Sequence, residues 1–181
     1  GMIIFSDYKI INTGKLTFKK GTRLNTCMYV DIALSETQAA RVYNVHFQSN
    51  QFSEEDYNFL DNLNEQESGY SAMNIVNKLK TGYMNRAEQV QQVLDSKASS
   101  PYPSIVCGDF NDTPVSFAYK SLSADMKDAF VEKGAGFGKT YVNPTPFLRI
   151  DFALFHPLFK INSYRRIQEA WLSDHYPIGV K

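Results

Sequence analysis

A long stretch of helical periodicity, bracketed by short apolar runs, constrains this chain more than any other feature. Met73, Ile75, Val76, Leu79, Tyr83, Met84, Ala87, Val90, Val93 and Leu94 recur at three- and four-residue steps. That spacing predicts an amphipathic helix of several turns ending near Lys97, and Ser99-Ser100-Pro101-Tyr102-Pro103 stops it. Before it, Leu24, Met28, Val30, Ile32 and Leu34 mostly alternate with polar residues, as do Val42 and Val45. These read as two strands, an antiparallel pair joined through Ser35-Glu36-Thr37. After the helix, Ile105-Val106-Cys107 forms a short apolar strand that ends abruptly at Gly108-Asp109. A second helix is expected from Pro114 to Leu122, with Thr113 as its N-cap and the proline in its first turn. Beyond a glycine-rich turn at Gly134, Gly136 and Gly138, residues 148–155, 161–167 and 176–180 read as strands. Strands alternating with two helices imply an α/β architecture. With no internal repeat or linker, residues 1–181 are expected to form a single domain.

Charge narrows the function classes. Nineteen Lys and Arg balance nineteen Asp and Glu, which removes the broad basic field of a protein that holds nucleic acid by phosphate neutralisation. A polar, acidic stretch from Gln48 to Ser71 contains Glu54, Glu55, Asp56, Asp61, Glu65 and Glu67, and no Lys or Arg occurs between Arg41 and Lys78. It reads as a solvated loop or helix face. No apolar run is long enough to span a bilayer and no signal peptide is apparent, so the chain reads as soluble, with its compartment open. Cys27 and Cys107 lie in apolar runs and read as core thiols, not as a disulfide or metal pair. Gly1-Met2 looks like a tag remnant, followed at once by strand-like Ile3-Ile4-Phe5, so the sequence is expected to begin inside a domain.

Four segments concentrate chemistry where strands meet loops: Val45-His46-Phe47, Gly108-Asp109-Phe110-Asn111-Asp112, Arg149-Ile150-Asp151-Phe152 and Ser173-Asp174-His175. Strand ends hold side chains rigidly while loops admit substrate. Each has a bland reading in isolation: His46 as a core histidine, Asp109 as an Asx turn, Asp174 as a turn cap.

Together, and in this order, they resemble the endonuclease/exonuclease/phosphatase superfamily, which includes deoxyribonuclease I, exonuclease III-like endonucleases, neutral sphingomyelinases and inositol-phosphate 5-phosphatases. The resemblance rests on Gly-Asp-Phe-Asn-Asp-x-Pro at 108–114, Arg-Ile-Asp-Phe at 149–152, Ser-Asp-His-Tyr-Pro at 173–177 and a His-bearing strand at 43–49. It implies a four-layer α/β/β/α sandwich of two mixed sheets. Family members begin with a strand-end Asn and a strand bearing the main metal-ligating Glu, which this sequence lacks. It therefore resembles the later two-thirds of a family domain.

The resemblance also implies residue roles. Asp109 would orient or deprotonate the attacking water and Asn111 would direct its amide at developing negative charge. His175 would bind the scissile phosphate as imidazolium, hydrogen-bonded to Asp151. His46 would hold the phosphate or leaving-group side, and Asp174 would ligate Mg²⁺ or Mn²⁺. Magnesium takes few protein carboxylates, so without the family Glu its binding is expected to be weak and the chain nearly inactive by itself. Arg149 is expected to support the fold through a carboxylate, Asp112 to shape a turn, and His156 to have no catalytic part. The expected partner is a phosphate ester of open class: nucleic acid is not favoured, and an uncovered sheet edge invites a homodimer. The alternative function is a non-catalytic remnant of the fold that serves as a binding module.

Overall fold

A computed structural model describes residues 1–61, 69–142, 148–167 and 173–181. Its elements run β1 (Ile10–Thr17), β2 (Thr26–Ala33), β3 (Ala39–His46), α1 (Glu54–Asp61), α2 (Gly69–Ala98), β4 (Ser104–Asp109), α3 (Phe117–Ser123), β5 (Lys127–Asp128), α4 (Ala129–Lys133), β6 (Asp151–Phe155), β7 (Tyr164–Arg166) and β8 (Ile178–Val180). The main sheet is mixed, in the order β1-β2-β3-β4-β6-β5, and β7 and β8 form a small antiparallel second sheet. The fold is thus mixed α/β, built on a six-stranded sheet with a second sheet beside it.

Strand alternation gives the large sheet two unlike faces. Tyr43, Val45, Phe47, Val106, Phe152 and Leu154 project to one face and join Val90 and Val93 of α2 and Leu122 of α3 in the main core. The periodicity of α2 is therefore satisfied by the sheet. Because β3 and β4 are parallel, a long connection must carry the chain back between them, and α1 and α2 supply it. On the opposite face the apolar residues split into two smaller groups. One is built on Val30, Ile32 and Ala40, and the other, on Ala129, Ala153 and Ile161, packs against Ile178 and Val180 of the second sheet.

Several local expectations shift. The second helix begins at Phe117, not Pro114, because the Ser116 hydroxyl accepts the Tyr119 N–H and acts as the N-cap. Thr113 instead accepts the Ser116 N–H through its carbonyl in the turn before it. The sequence reading missed β1, a polar and mostly exposed edge strand, and also β5 and α4, which are only two and five residues long. Ile3-Ile4-Phe5 is not a strand, although Ile4 packs on the Val30 group. Part of the acidic stretch is the helix α1, and residues 62–68, with Glu65 and Glu67, lie outside those described.

Two ion pairs are buried in the fold. Arg41 forms a two-pronged pair with Asp31 at 2.6 and 2.8 Å, and Arg149 donates to Asp128 at 2.7 Å, which gives Arg149 the supporting part expected of it. Cys27 and Cys107 are free, and burial pushes their thiols up to about 12 and about 11, so both stay protonated at neutral pH. Among the described residues, no helix is long and apolar enough to cross a membrane.

Candidate active site

The register of three strands brings the dispersed polar residues into one row. His46 ends β3 opposite Asp109, which ends β4, and Asp109 lies opposite Asp151, which begins β6. Residues in register on neighbouring strands project to the same face, here the one away from α2. Gly108 makes the approach possible: with φ of 130°, a Cβ there would meet the Val45 carbonyl oxygen at 2.1 Å. Only glycine lets β4 run this close to β3 just before Asp109.

From Asp151 the row continues out of the sheet. His175 Nδ1 lies 2.8 Å from Asp151 Oδ2, and a backbone bridge ties Tyr141 to His175. The Tyr141 ring stands 5.0 Å from the imidazole in an edge arrangement. Below, the buried Thr140 hydroxyl accepts the N–H groups of Ile150 and Asp151 at 3.0 and 3.1 Å and fixes the start of β6. Neither Thr140 nor Tyr141 carries a sequence signal that would have flagged it.

Asp109 is the most constrained carboxylate. Its Oδ1 accepts the Asn111 backbone N–H at 2.7 Å and its Oδ2 accepts the Asn111 side-chain amide at 3.0 Å, while His46 Nε2 lies 3.7 Å from Oδ2. Burial first, then the neighbouring Asp151 charge, push its carboxyl up to about 6 against the pull of Asn111 and the two histidines. His175 moves up from the ordinary imidazole range, chiefly through its hydrogen bond to Asp151. His46 is oriented by its Nδ1, 3.0 Å from the Leu24 carbonyl, which leaves Nε2 toward Asp109.

Asn111 reaches the site through a turn, not along an extended strand. Its φ is 51°, so the chain turns sharply after Asp109. Its amide nitrogen donates to the Phe47 carbonyl at 2.9 Å as well as to Asp109. Both N–H bonds are thus engaged, and the side chain clamps Asp109 to the end of β3. Asp112 accepts the Thr113 N–H at 3.0 Å and the Arg86 Nε at 2.8 Å, so it both shapes the turn and neutralises a buried guanidinium.

These residues line a cleft of about 690 Å³ that His46, Asp109, Asn111, Asp174 and His175 share with Tyr57, Tyr83 and Tyr141. His156 is elsewhere, lining a hollow with Lys97 and Asp125 at the far end of the sheet. Asp174 is exposed at the rim. As a metal centre the donor set falls short: among the described residues no three His, Cys, Asp or Glu side chains gather where they could hold an ion.

The family model for the Endonuclease/Exonuclease/phosphatase family matches residues 78–175. Comparison with curated proteins gives no match. Similar solved structures include a functionally unknown conserved protein from Enterococcus faecalis V583 (13% identity, TM-score 0.69), of which this chain covers 66% with 96% of its own length. A mannosyl-6-phosphatase from Bacteroides thetaiotaomicron VPI-5482 is 15% identical at a TM-score of 0.63, with the same two coverages. The human Nocturnin catalytic domain with bound sulfate is 12% identical at 0.59, and the chain covers 60% of it with 96% of its own length. The chain thus spans a little under two-thirds of the structures it resembles. The family match takes in most of α2, the Gly108–Asn111 turn, the start of β6 and the Asp174-His175 pair, and the chain belongs to the endonuclease/exonuclease/phosphatase family.

Proposed function

We propose that the cleft hydrolyses a phosphate ester by in-line attack of water. The observation that carries this reading is the row His46, Asp109, Asp151 continued by His175, which sets two imidazoles and a basic carboxylate around one opening. Water attacking phosphorus must lose a proton. Asp109, with its carboxyl near 6, is ionised at neutral pH yet basic enough to take it. His175, held as imidazolium by Asp151, faces the phosphoryl oxygens, and His46 serves the leaving-group side. Asn111 acts through Asp109, as a positioning residue. A family relative named as a mannosyl-6-phosphatase and one that holds sulfate support an oxyanion ester as substrate.

A divalent cation, Mg²⁺ or Mn²⁺, is part of this reading at the level of the family. Asp174, exposed at the rim of the cleft, is the residue of this chain that would hold it, and the ion would supply positive charge against the phosphoryl oxygens. The long exposed edge of β1, with Ile10 and Ile11 about half uncovered, supports pairing with a second copy. A concentration-dependent mass in light scattering is the expected result, and a strictly monomeric mass contradicts it.

The experiment for the catalytic reading is a panel of aryl phosphodiesters and phosphomonoesters assayed with each cation, wild type beside Asp109→Asn. Loss of general-base catalysis is expected to slow the preferred ester roughly 10²- to 10⁴-fold. Equal rates for the two proteins across the panel contradict the assignment.

A further inference from the structure

A second, smaller hollow adjoins the cleft. Ser49, Asn50 and Gln51 line both, so the segment after β3 is a shared wall. The rest of the hollow is Gln48, Gly82 and a stripe of α2, Asn74, Asn77, Lys78 and Thr81, the last four spaced so that one helical face presents them all. Five of these side chains are carboxamides. Lys78 is paired with Asp56, which removes the one cation as a free anchor. No aromatic ring lines the hollow, whereas four line the neighbouring cleft.

Two details show that the wall is held in place. Asn50 Oδ1 accepts from the buried Arg86 Nη1 at 3.0 Å, so its N–H₂ is the end left for a ligand. The lack of a side chain at Gly82 makes that seat possible, since a Cβ there would lie 2.7 Å from Asn50 Oδ1. Gln51 has φ of 55°, and among the described residues only it and Asn111 are left-handed without being glycine. Such conformations cost energy and gather at sites that use them. Here one sits beside the reacting carboxylate and the other on the shared wall.

We propose that this hollow binds the polyhydroxylated, sugar-like alcohol portion of the substrate, so that the preferred ester is a phosphate on a single sugar or sugar-like ring. The inference rests on the phosphoesterase reading of the adjoining cleft. A hydroxyl both donates and accepts, and a carboxamide offers two donors and an acceptor. Clustered amides therefore match neighbouring hydroxyls, and they match neither a polyanionic backbone, which needs cations, nor a nucleobase, which stacks on rings. At about 250 Å³ the hollow has room for roughly eight waters at about 30 Å³ each, enough for one sugar ring.

Amide-resolved NMR titration of the full chain with inorganic phosphate, phenyl phosphate and glucose 6-phosphate separates the two claims. All three ligands are expected to shift Asn111 and His175. Only glucose 6-phosphate is expected also to shift the side-chain amides of Asn74 and Asn77, binding about tenfold more tightly than phenyl phosphate. The double substitution Asn74→Ala and Asn77→Ala favours the helix and should bring the two affinities together. If phosphate shifts the cleft but glucose 6-phosphate binds no better than phenyl phosphate and leaves α2 unmoved, the sugar inference is overturned and the phosphoesterase reading survives. If no ligand shifts Asn111 or His175, the phosphoesterase reading fails and the inference with it.

Discussion

The two faces of the large sheet are built from the same strands and do different work. On the face toward α2 the alternate residues are apolar almost to the strand ends, and Phe47, Phe110, Phe152 and Tyr119 stack in sequence at ring separations of 4.8 to 5.3 Å. On the other face the apolar cover divides into two groups, and the strand ends carry His46, Asp109 and Asp151. A continuous core on one side leaves the opposite side free to expose polar groups whose burial would otherwise be costly. Packing and the candidate site are thereby separated across a single layer of backbone.

The sharpest way to break this contrast is to substitute one residue on each face and read both stability and turnover. Phe152→Ala, on the packed face, removes a ring that is 1% exposed, and is expected to cost about 3–5 kcal/mol in denaturant unfolding. Asp109→Asn, one strand away on the polar face, is expected to abolish most turnover at a much smaller cost in stability. The pH dependence follows from its titration. Its carboxyl titrates near 6 in the fold and near 3.8 when unfolded, so the folded state loses stability as pH rises between those values. The variant has no charge to bury but keeps only one of the two acceptor oxygens that Asn111 uses, so the two effects oppose each other and the net change at pH 8 should be well below that of Phe152→Ala. A marked loss of stability in Asp109→Asn would mean that the polar row holds the fold together.

Asp31 gives the opposite pH response on the packed side. The Arg41 guanidinium holds its carboxyl below the ordinary 3.8, so the pair stabilises fully above that value. The contribution is lost as pH falls through the lowered folded value. Acid unfolding followed by circular dichroism should show Asp31→Asn losing this acid dependence while wild type keeps it. The smallest effect is expected at Lys20–Glu88, a pair with both partners about half exposed. Glu88→Gln should change stability by less than about 1 kcal/mol, and high salt should erase even that.

How much of this was legible in the sequence follows the same division. The packed face was readable because it obeys local patterns: α2 at three- and four-residue steps, β2 and β3 by alternation, and β4 as a short apolar run. Elements without an apolar signature escaped, namely the polar edge strand β1 and the very short β5 and α4. The site residues could be named from four motifs. Their assembly into a row depends on β3–β4 and β4–β6 registers that no local pattern encodes, because a 30-residue helix separates the parallel strands. The hold of Asn111 on Asp109 was hidden for a related reason. It needs a left-handed turn and the carbonyl of Phe47, 64 residues earlier. The amide wall at 48–51 read only as the start of a polar stretch, since its meaning lies in the α2 stripe it faces.

The chain's three histidines offer the most direct test of the central claim. His46 and His175 line the cleft, and His156 sits at the other end of the sheet. Calorimetric titration of inorganic phosphate into His46→Ala, His175→Ala and His156→Ala, each shown to be folded by circular dichroism, compares the two ends. Affinity is expected to fall about tenfold or more for each of the first two, consistent with the loss of one charge-assisted hydrogen bond, and to be unchanged for the third. Equal losses in all three, or a loss confined to His156→Ala, would contradict the account.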